Sequence, residues 1–224
     1  MYRIGIDVGG TFTDVTLLNS ETGRYYTYKL SSTLQDQSLA IANGTKETLE
    51  LYGVPVSEIE YFGHGTTVAT NMIIERKGAK TALITTKGFR DLLEIGRQTR
   101  PSLYNIMEDK PETLVKRSLR KEISERVTAK GDILRDVDRD EVRAVLKELK
   151  EQGVESSAVC FLFSFLNSRN EKIVEECIKE VWPEAYYSVS STILPEFREF
   201  ERLSTTVINS YLGPRMKMYI HNLR

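Results

Sequence analysis

Two histidines, two cysteines and a single tryptophan are all that this 224-residue chain holds of those residues, and each scarcity excludes something. Cys160 and Cys177 are too few and too far apart for a disulfide framework or a thiolate metal site. Each sits in an apolar stretch, so a buried structural thiol is expected rather than a reactive one. Charge of one sign is also lacking. The formal net charge is −1, so no global field recruits nucleic acid or an anionic membrane. No apolar run approaches the ~20 residues of a membrane span. The opening MYRIGIDVGG carries Asp7 and no small-residue cleavage site, unlike a signal peptide. A reduced, cytoplasmic, soluble protein with neither nucleic acid nor membrane as partner is expected. What is present is ordinary for a globular domain, 40% apolar and 28% charged residues.

Periodicity then divides the chain. Ile4, Ile6 and Val8 share one face of an extended run, and Gly9-Gly10 ends it. Thr13 to Leu18 and Tyr25 to Leu30 alternate in the same way around a turn at Glu21-Thr22-Gly23, which predicts an antiparallel meander. Asp36 to Tyr52 predicts a helix with Leu39, Ala42, Leu49 and Tyr52 near one face, closed by Gly53 and Pro55. Strand, helix and strand follow at Tyr61 to Gly65, Val68 to Arg76 and Lys80 to Thr85, then a short helix at Phe89 to Ile95. Residues 97–118 hold two prolines and many charges without period and read as a loop excursion. Asp138 to Gln152 predicts an amphipathic helix with Asp138 and Glu141 as a capping box. Ser157 to Phe165 is nearly all apolar, a strand buried on both faces. Ser168-x-x-Glu171 predicts a cap for the next helix, Tyr186 to Ser190 a last strand, and Ser204 to Leu223 a helix interrupted or kinked at Gly213-Pro214. Meander first and strand–helix alternation afterwards imply an α/β fold with a mixed sheet and flanking helices.

Chemistry concentrates in Gly5-Ile6-Asp7-Val8-Gly9-Gly10-Thr11-Phe12-Thr13-Asp14, where a strand ends and a tight hairpin begins. Consecutive glycines let backbone approach a ligand, and successive amide N–H groups in a turn cradle phosphate oxygens. Thr11 and Thr13 add hydroxyls, and Asp7 suits a hydrated Mg²⁺. The string is neither a Walker loop nor G-x-G-x-x-G. The plain alternative is a glycine hairpin with a solvated aspartate. A second string, His64-Gly65-Thr66-Thr67-Val68-Ala69-Thr70-Asn71, reads as a strand running into a helix start, with N–H groups that favour an anion and a threonine cap. Its plain alternative is ordinary capping with His64 a satisfied polar residue.

Ile6 to Thr11 resembles the first phosphate motif of actin, sugar kinases and related ATPases. Gly9 to Asp14 is similar to the opening of the hydantoinase A/5-oxoprolinase family, which includes the nucleotide subunits of acetone and acetophenone carboxylases. The His64 to Asn71 segment, Gly88 to Gln98 with Arg100-Pro101, and Leu194 to Arg202 with Ser204 to Leu212 resemble that family too. Read from the residues alone, Arg97, Arg100, Arg198 and Arg202 are candidate anion ligands, although arginines more often pair at the surface, and Val207, Ile208, Tyr211 and Leu212 form a packing stripe.

The resemblance implies the first lobe of a ribonuclease-H-like/actin-like ATPase. Residues 1–200 would be the phosphate-binding lobe, and 201–224 the start of a helix connecting to a second lobe. It implies ATP and Mg²⁺, with Asp7 positioning the metal and Gly9, Gly10, Thr11, Phe12 and Thr13 at the phosphates. His64, Thr66 and Thr67 would meet substrate, a cyclic amide or ketone. A hydantoinase B-type partner subunit, or that part fused to the same chain, is implied as well. The implied reaction is phosphorylation of an amide or carbonyl oxygen, leading to hydrolysis or carboxylation. A sugar or small-alcohol kinase and a non-catalytic actin-like nucleotide-binding module are the alternatives, while an iron–sulfur activator ATPase is disfavoured by the cysteine pattern. Family subunits are longer, so a fragment or a lone N-terminal domain is expected, binding ATP weakly by itself.

Overall fold

The alternation of the first stretch becomes a sheet. β1 (Tyr2–Val8), β2 (Phe12–Asn19) and β3 (Tyr25–Ser31) form the antiparallel meander. The computed structural model describes residues 1–33 and 36–223, so Arg224, the end of the 201–224 stretch expected to begin a connecting helix, lies outside the described residues. Helix α1 (Gln37–Tyr52) follows, then β4 (Ile59–Thr66), which pairs parallel to β1 and gives the order β3-β2-β1-β4. Ile4, Ile6, Val8, Val15 and Leu17 are buried, each contributing roughly 1.5–3 kcal/mol of transfer free energy. Short α2 (Val68–Ile74) closes this region.

The expected face of α1 is corrected. Leu39 and Ala42 are exposed, and the buried face is Ala40, Ile41, Gly44, Thr48 and Leu49. Gly44 decides the matter. A Cβ there would lie 2.8 Å from Leu30 Cδ2 and 3.0 Å from Val15 Cγ2, so the helix seats on the sheet through its glycine.

Two compact units divide the chain. Residues 1–77 and the stretch from Arg215 form the first, and Gly78–Pro214 the second, so the described part of the expected 1–200 lobe holds two four-stranded sheets, one in each unit. The second unit has an all-parallel sheet in the order β10-β9-β5-β6, made of β10 (Tyr186–Val189), β9 (Ser156–Cys160), β5 (Thr81–Thr86) and β6 (Arg120–Ile123). Every residue of β5 and β9 is buried, as strands covered on both faces require. α3 (Leu92–Ile95) is the expected short helix, and residues 97–116 hold no regular element. A two-stranded ribbon, β7 (Arg126–Val127) with β8 (Ile133–Arg135), went unforeseen, as did β6.

α4 (Arg139–Glu151) buries Val142, Leu146 and Leu149, and its cap Asp138 accepts the Asp140 N–H. Glu141 does not close a capping box, because both its oxygens take the Ser124 N–H instead. α5 (Arg169–Val181) buries Val174, Cys177 and Ile178. Its expected cap is likewise corrected. Ser168 makes no side-chain cap bond, and Glu171, wholly buried, accepts from Phe161 N–H, the Ser190 hydroxyl and Ser191 N–H. The apolar run ends its strand at Cys160 because those donors hold residues 161 onward in a turn. Both thiols are buried and unbridged, and burial pushes that of Cys160 up to about 11. α6 (Ser190–Ile193) precedes α7 (Glu199–Asn222), whose helical span includes Gly213-Pro214 without the expected interruption. A Cβ on Gly213 would stand 2.1 Å from the Tyr186 ring, so the glycine serves close packing there.

The architecture is the mixed α/β fold that the ribonuclease-H-like, actin-like resemblance called for. Among the described residues no helix is long and apolar enough to cross a membrane.

Candidate functional site

The turn between β1 and β2 is short and braced. Gly9 N–H donates to Phe12 O at 3.0 Å. The Ser32 hydroxyl donates to Gly9 O at 2.8 Å and lies 2.9 Å from Thr13 Oγ1, while Ser32 N–H donates to Thr11 O. Thr13 is therefore fully buried, with its hydroxyl engaged inside the hairpin, whereas Thr11 and Phe12 are exposed. A side chain would be tight at both Gly9 and Gly10. A Cβ on Gly9 would lie 3.0 Å from Phe12 O, and one on Gly10 3.1 Å from Asn71 Nδ2.

Strand register fixes where the carboxylates point. Asp7 stands opposite Asp14 on β2 and Gly65 on β4. Residues paired across a sheet share a face, so two like charges lie close together. Asp14 is held by Lys29 Nζ at 2.9 Å, and that ammonium also lies 5.1 Å from the centre of the Phe12 ring. Asp7 is exposed and makes no hydrogen bond or ion pair among the described residues. Its neighbour Gly65 has no side chain to cover it. Such a carboxylate, left to solvent beside a glycine turn, is the donor type a hydrated divalent cation takes.

His64 pairs with Ile6 and therefore leaves the sheet on the opposite face from Asp7. Its Nε2 lies 2.6 Å from the hydroxyl of Tyr219 on α7. Burial pushes the imidazole below its ordinary value, partly opposed by the charge of Asp7. Burial pushes the Tyr219 phenol up, opposed by a hydrogen bond with Thr66. The threonine cap is Thr66, whose Oγ1 accepts the Val68 N–H at 3.1 Å. Thr67 Oγ1 accepts from Asn71 Nδ2 at 3.3 Å.

The predicted residues thus fall into two sets. Asp7, Gly9, Gly10 and Thr11 gather around the turn. His64 and Thr66 join Tyr219 behind the sheet edge, and Thr67 connects through Asn71 to Gly10. Ser32 and Tyr219 went unmarked in the sequence, and Asn71, the last residue of the second string, was given no role there. Asn71, four residues from Thr67 on a helix, carries the one local signal among them. Of the arginines, Arg97 pairs with Glu201, as surface arginines do. Arg202 does not. It is fully buried and donates to Phe161 O and Glu196 O, so the surface reading of that residue is overturned. A cavity of about 930 Å³ beside α1, lined by Ile41, Leu49, Val54 and Phe62 among others, contains none of the predicted site residues.

Comparison with known proteins gives the family. Caprolactamase subunit alpha of Pseudomonas jessenii is 34% identical over 99% of this chain and 33% of its own length. The crystal structure of that organism's ATP-dependent caprolactamase superposes with a TM-score of 0.88 at 33% identity, over 99% of this chain and 33% of that one. The acetophenone carboxylase gamma subunit of Aromatoleum aromaticum is 32% identical over 96% of the chain and 31% of its own length. The 5-oxoprolinase of Dictyostelium discoideum is 30% identical over 98% of this chain and 20% of its own. The chain thus spans a third or less of the length of these relatives. The family model described as the hydantoinase/oxoprolinase N-terminal region matches residues 3–182, and the chain belongs to that family.

Proposed function

We propose that this chain supplies the phosphate- and Mg²⁺-binding part of an enzyme that uses ATP to activate an amide or carbonyl oxygen, with hydrolysis of a cyclic amide as its outcome. One observation carries the reading. The Asp7 carboxylate lies open to solvent at the end of β1, beside the Gly9-Gly10 turn, where a Cβ would crowd Phe12 O and Asn71. Backbone N–H groups of the turn and the Thr11 hydroxyl would meet phosphate oxygens. Asp7 would hold Mg²⁺ through its carboxylate, and the cation would supply charge neutralisation at the phosphates. Thr13 and Ser32 keep the turn in shape. His64, Thr66 and Tyr219 fix the end of β4, and with it Thr67 and the approach to substrate.

The chemistry suits such a site. An unstrained amide is a poor electrophile. When its oxygen attacks the γ-phosphorus and ADP leaves, the carbon of the resulting imidate accepts water. The C–N bond then breaks with a proton passing to nitrogen, and a second water hydrolyses the acyl phosphate to carboxylate and inorganic phosphate. Phosphoryl transfer depends on positioning and charge neutralisation rather than on a protein nucleophile, in keeping with a site of N–H groups, hydroxyls and one carboxylate. A caprolactamase and a 5-oxoprolinase among the relatives support hydrolysis. An acetophenone carboxylase subunit supports a second reading, in which an activated ketone is carboxylated instead. Relatives named as subunits support a partner of the hydantoinase B type or its fused equivalent.

The test is phosphate release by the full-length protein with its partner, offered 5-oxoproline, hydantoins, caprolactam, ketones with bicarbonate, and sugars in turn. ATP turnover stimulated by a cyclic amide is expected, and stimulation by ketone with bicarbonate alone would select the second reading. Turnover with a hexose alone would overturn both.

A further inference from the structure

The side chain of Asn71, on α2, takes the space that a side chain at Gly10 would need. A Cβ on Gly10 would stand 3.1 Å from Asn71 Nδ2 and 3.9 Å from Asn71 Cγ, and no other group crowds that position among the described residues. Gly10 is not in the left-handed region, so its backbone does not call for glycine. The amide of Asn71 does.

Little inside the chain repays that arrangement. A side-chain amide carries two N–H donors and a carbonyl. Nδ2 gives one N–H to Thr67 Oγ1 at 3.3 Å, a long bond, and the second N–H and Oδ1 make none among the described residues. The residue is partly exposed, so a ligand can reach it. Beside it the Gly10 and Thr11 N–H groups are likewise unspent among the described residues, whereas Gly9 N–H is held by Phe12 O. The plainer role, a brace for Thr67, is poorly served by a 3.3 Å bond and does not need an amide over Gly10.

We propose that Asn71 is a catalytic residue of the nucleotide site on which the function above rests, its Nδ2 donating a hydrogen bond to the phosphoryl group as it passes from ATP to the substrate oxygen. Two contacts put the amide at the transferring group. It meets the glycine turn at Gly10 on one side, and on the other Thr67, which follows β4 on the approach to substrate. A fixed donor there strengthens as charge gathers on the transferring oxygens, so it favours the transition state over bound ADP. The amide stays neutral, and no proton or bond moves through it. An aspartate in its place would keep the shape and present a repelling charge.

The experiment is calorimetric titration of the full-length protein with its partner, using Mg²⁺-ADP with and without aluminium fluoride, a mimic of the transferring phosphoryl group. In the native protein the fluoride should tighten ADP binding. In Asn71→Ala, ADP alone should bind within about twofold of native, while the fluoride complex weakens about 100-fold. Turnover should show the same split, with kcat lowered by a similar factor and KM for the cyclic amide little changed. Asn71→Asp can accept the Thr67 hydroxyl and should weaken the fluoride complex further, and it carries the test if the alanine variant fails to fold. Equal losses for ADP and the fluoride complex overturn the role of Asn71 and leave the nucleotide site standing. So does native-like fluoride binding in either variant, an aspartate variant that binds it as well as the alanine one, or a native protein to which fluoride adds nothing. A native protein that binds no nucleotide overturns both readings.

Discussion

Each unit places a carboxylate beside the C-terminal ends of a parallel strand pair, and the two are used in opposite ways. At β1 and β4 it is Asp7, exposed, opposite another aspartate, without a hydrogen bond or ion pair among the described residues. Beside β9 and β10 it is Glu171, wholly buried, accepting from Phe161 N–H at 2.9 Å, Ser190 Oγ at 2.6 Å and Ser191 N–H at 2.9 Å. Carboxylate chemistry is the same in both. What differs is whether protein donors have already consumed its acceptor capacity. Glu171 acts as an internal splint for the turn after β9, while the carboxylate of Asp7 is left to solvent.

The contrast can be broken in order of expected effect. Glu171→Ala strands two buried donors and a part-buried one and should lower the unfolding free energy of the second unit by on the order of 4 kcal/mol, read from denaturant titration. Asp7→Asn should leave melting unchanged or slightly raised, since it removes a like-charge pair, while ATP turnover falls about 100-fold. If Asp7→Asn unfolds the chain instead, the carboxylate is structural and the comparison collapses. Gly10→Ala pushes a methyl against Asn71 and should destabilise the first unit by about 1 kcal/mol, with stability restored by adding Asn71→Ala. The smallest effect is pH. Burial depresses the His64 imidazole below 6.5, so the unfolded chain takes the proton more readily than the folded one. Stability is complete above that value and is lost as pH falls through the folded one. A denaturation midpoint that declines between neutral pH and 5, and declines less in His64→Gln, is the expected result.

Much of this was legible in the sequence because its signals are local. Period-two alternation placed β1 to β3, and the string from Asp7 to Asp14 marked the glycine turn between β1 and β2. Charge runs hid β6 to β8, where Arg120 and Glu122 flank short apolar stretches. Glu171 was misread for a physical reason. A serine three residues ahead of a glutamate has the spacing of a capping box, yet the donors that claim this glutamate sit up to 20 residues away in sequence. Arg202 and Tyr219 are the same case. Tyr219 meets His64 across 155 residues, and no periodicity encodes that pairing. The sheet register also separated Asp7 from His64, which neither motif by itself indicates.

The bracing of the hairpin by Ser32 has a thermodynamic consequence for recognition. Gly9 and Gly10 do not sit in the left-handed region, so their glycine character serves clearance rather than backbone freedom. With the Gly9 and Thr11 carbonyls both tied to Ser32, little conformational entropy is left in the turn for an incoming anion to remove. Affinity at such a turn responds to a loosened clamp as much as to a lost contact. Ser32→Ala, distant from any phosphate oxygen in role, should therefore weaken nucleotide binding mainly through its entropy.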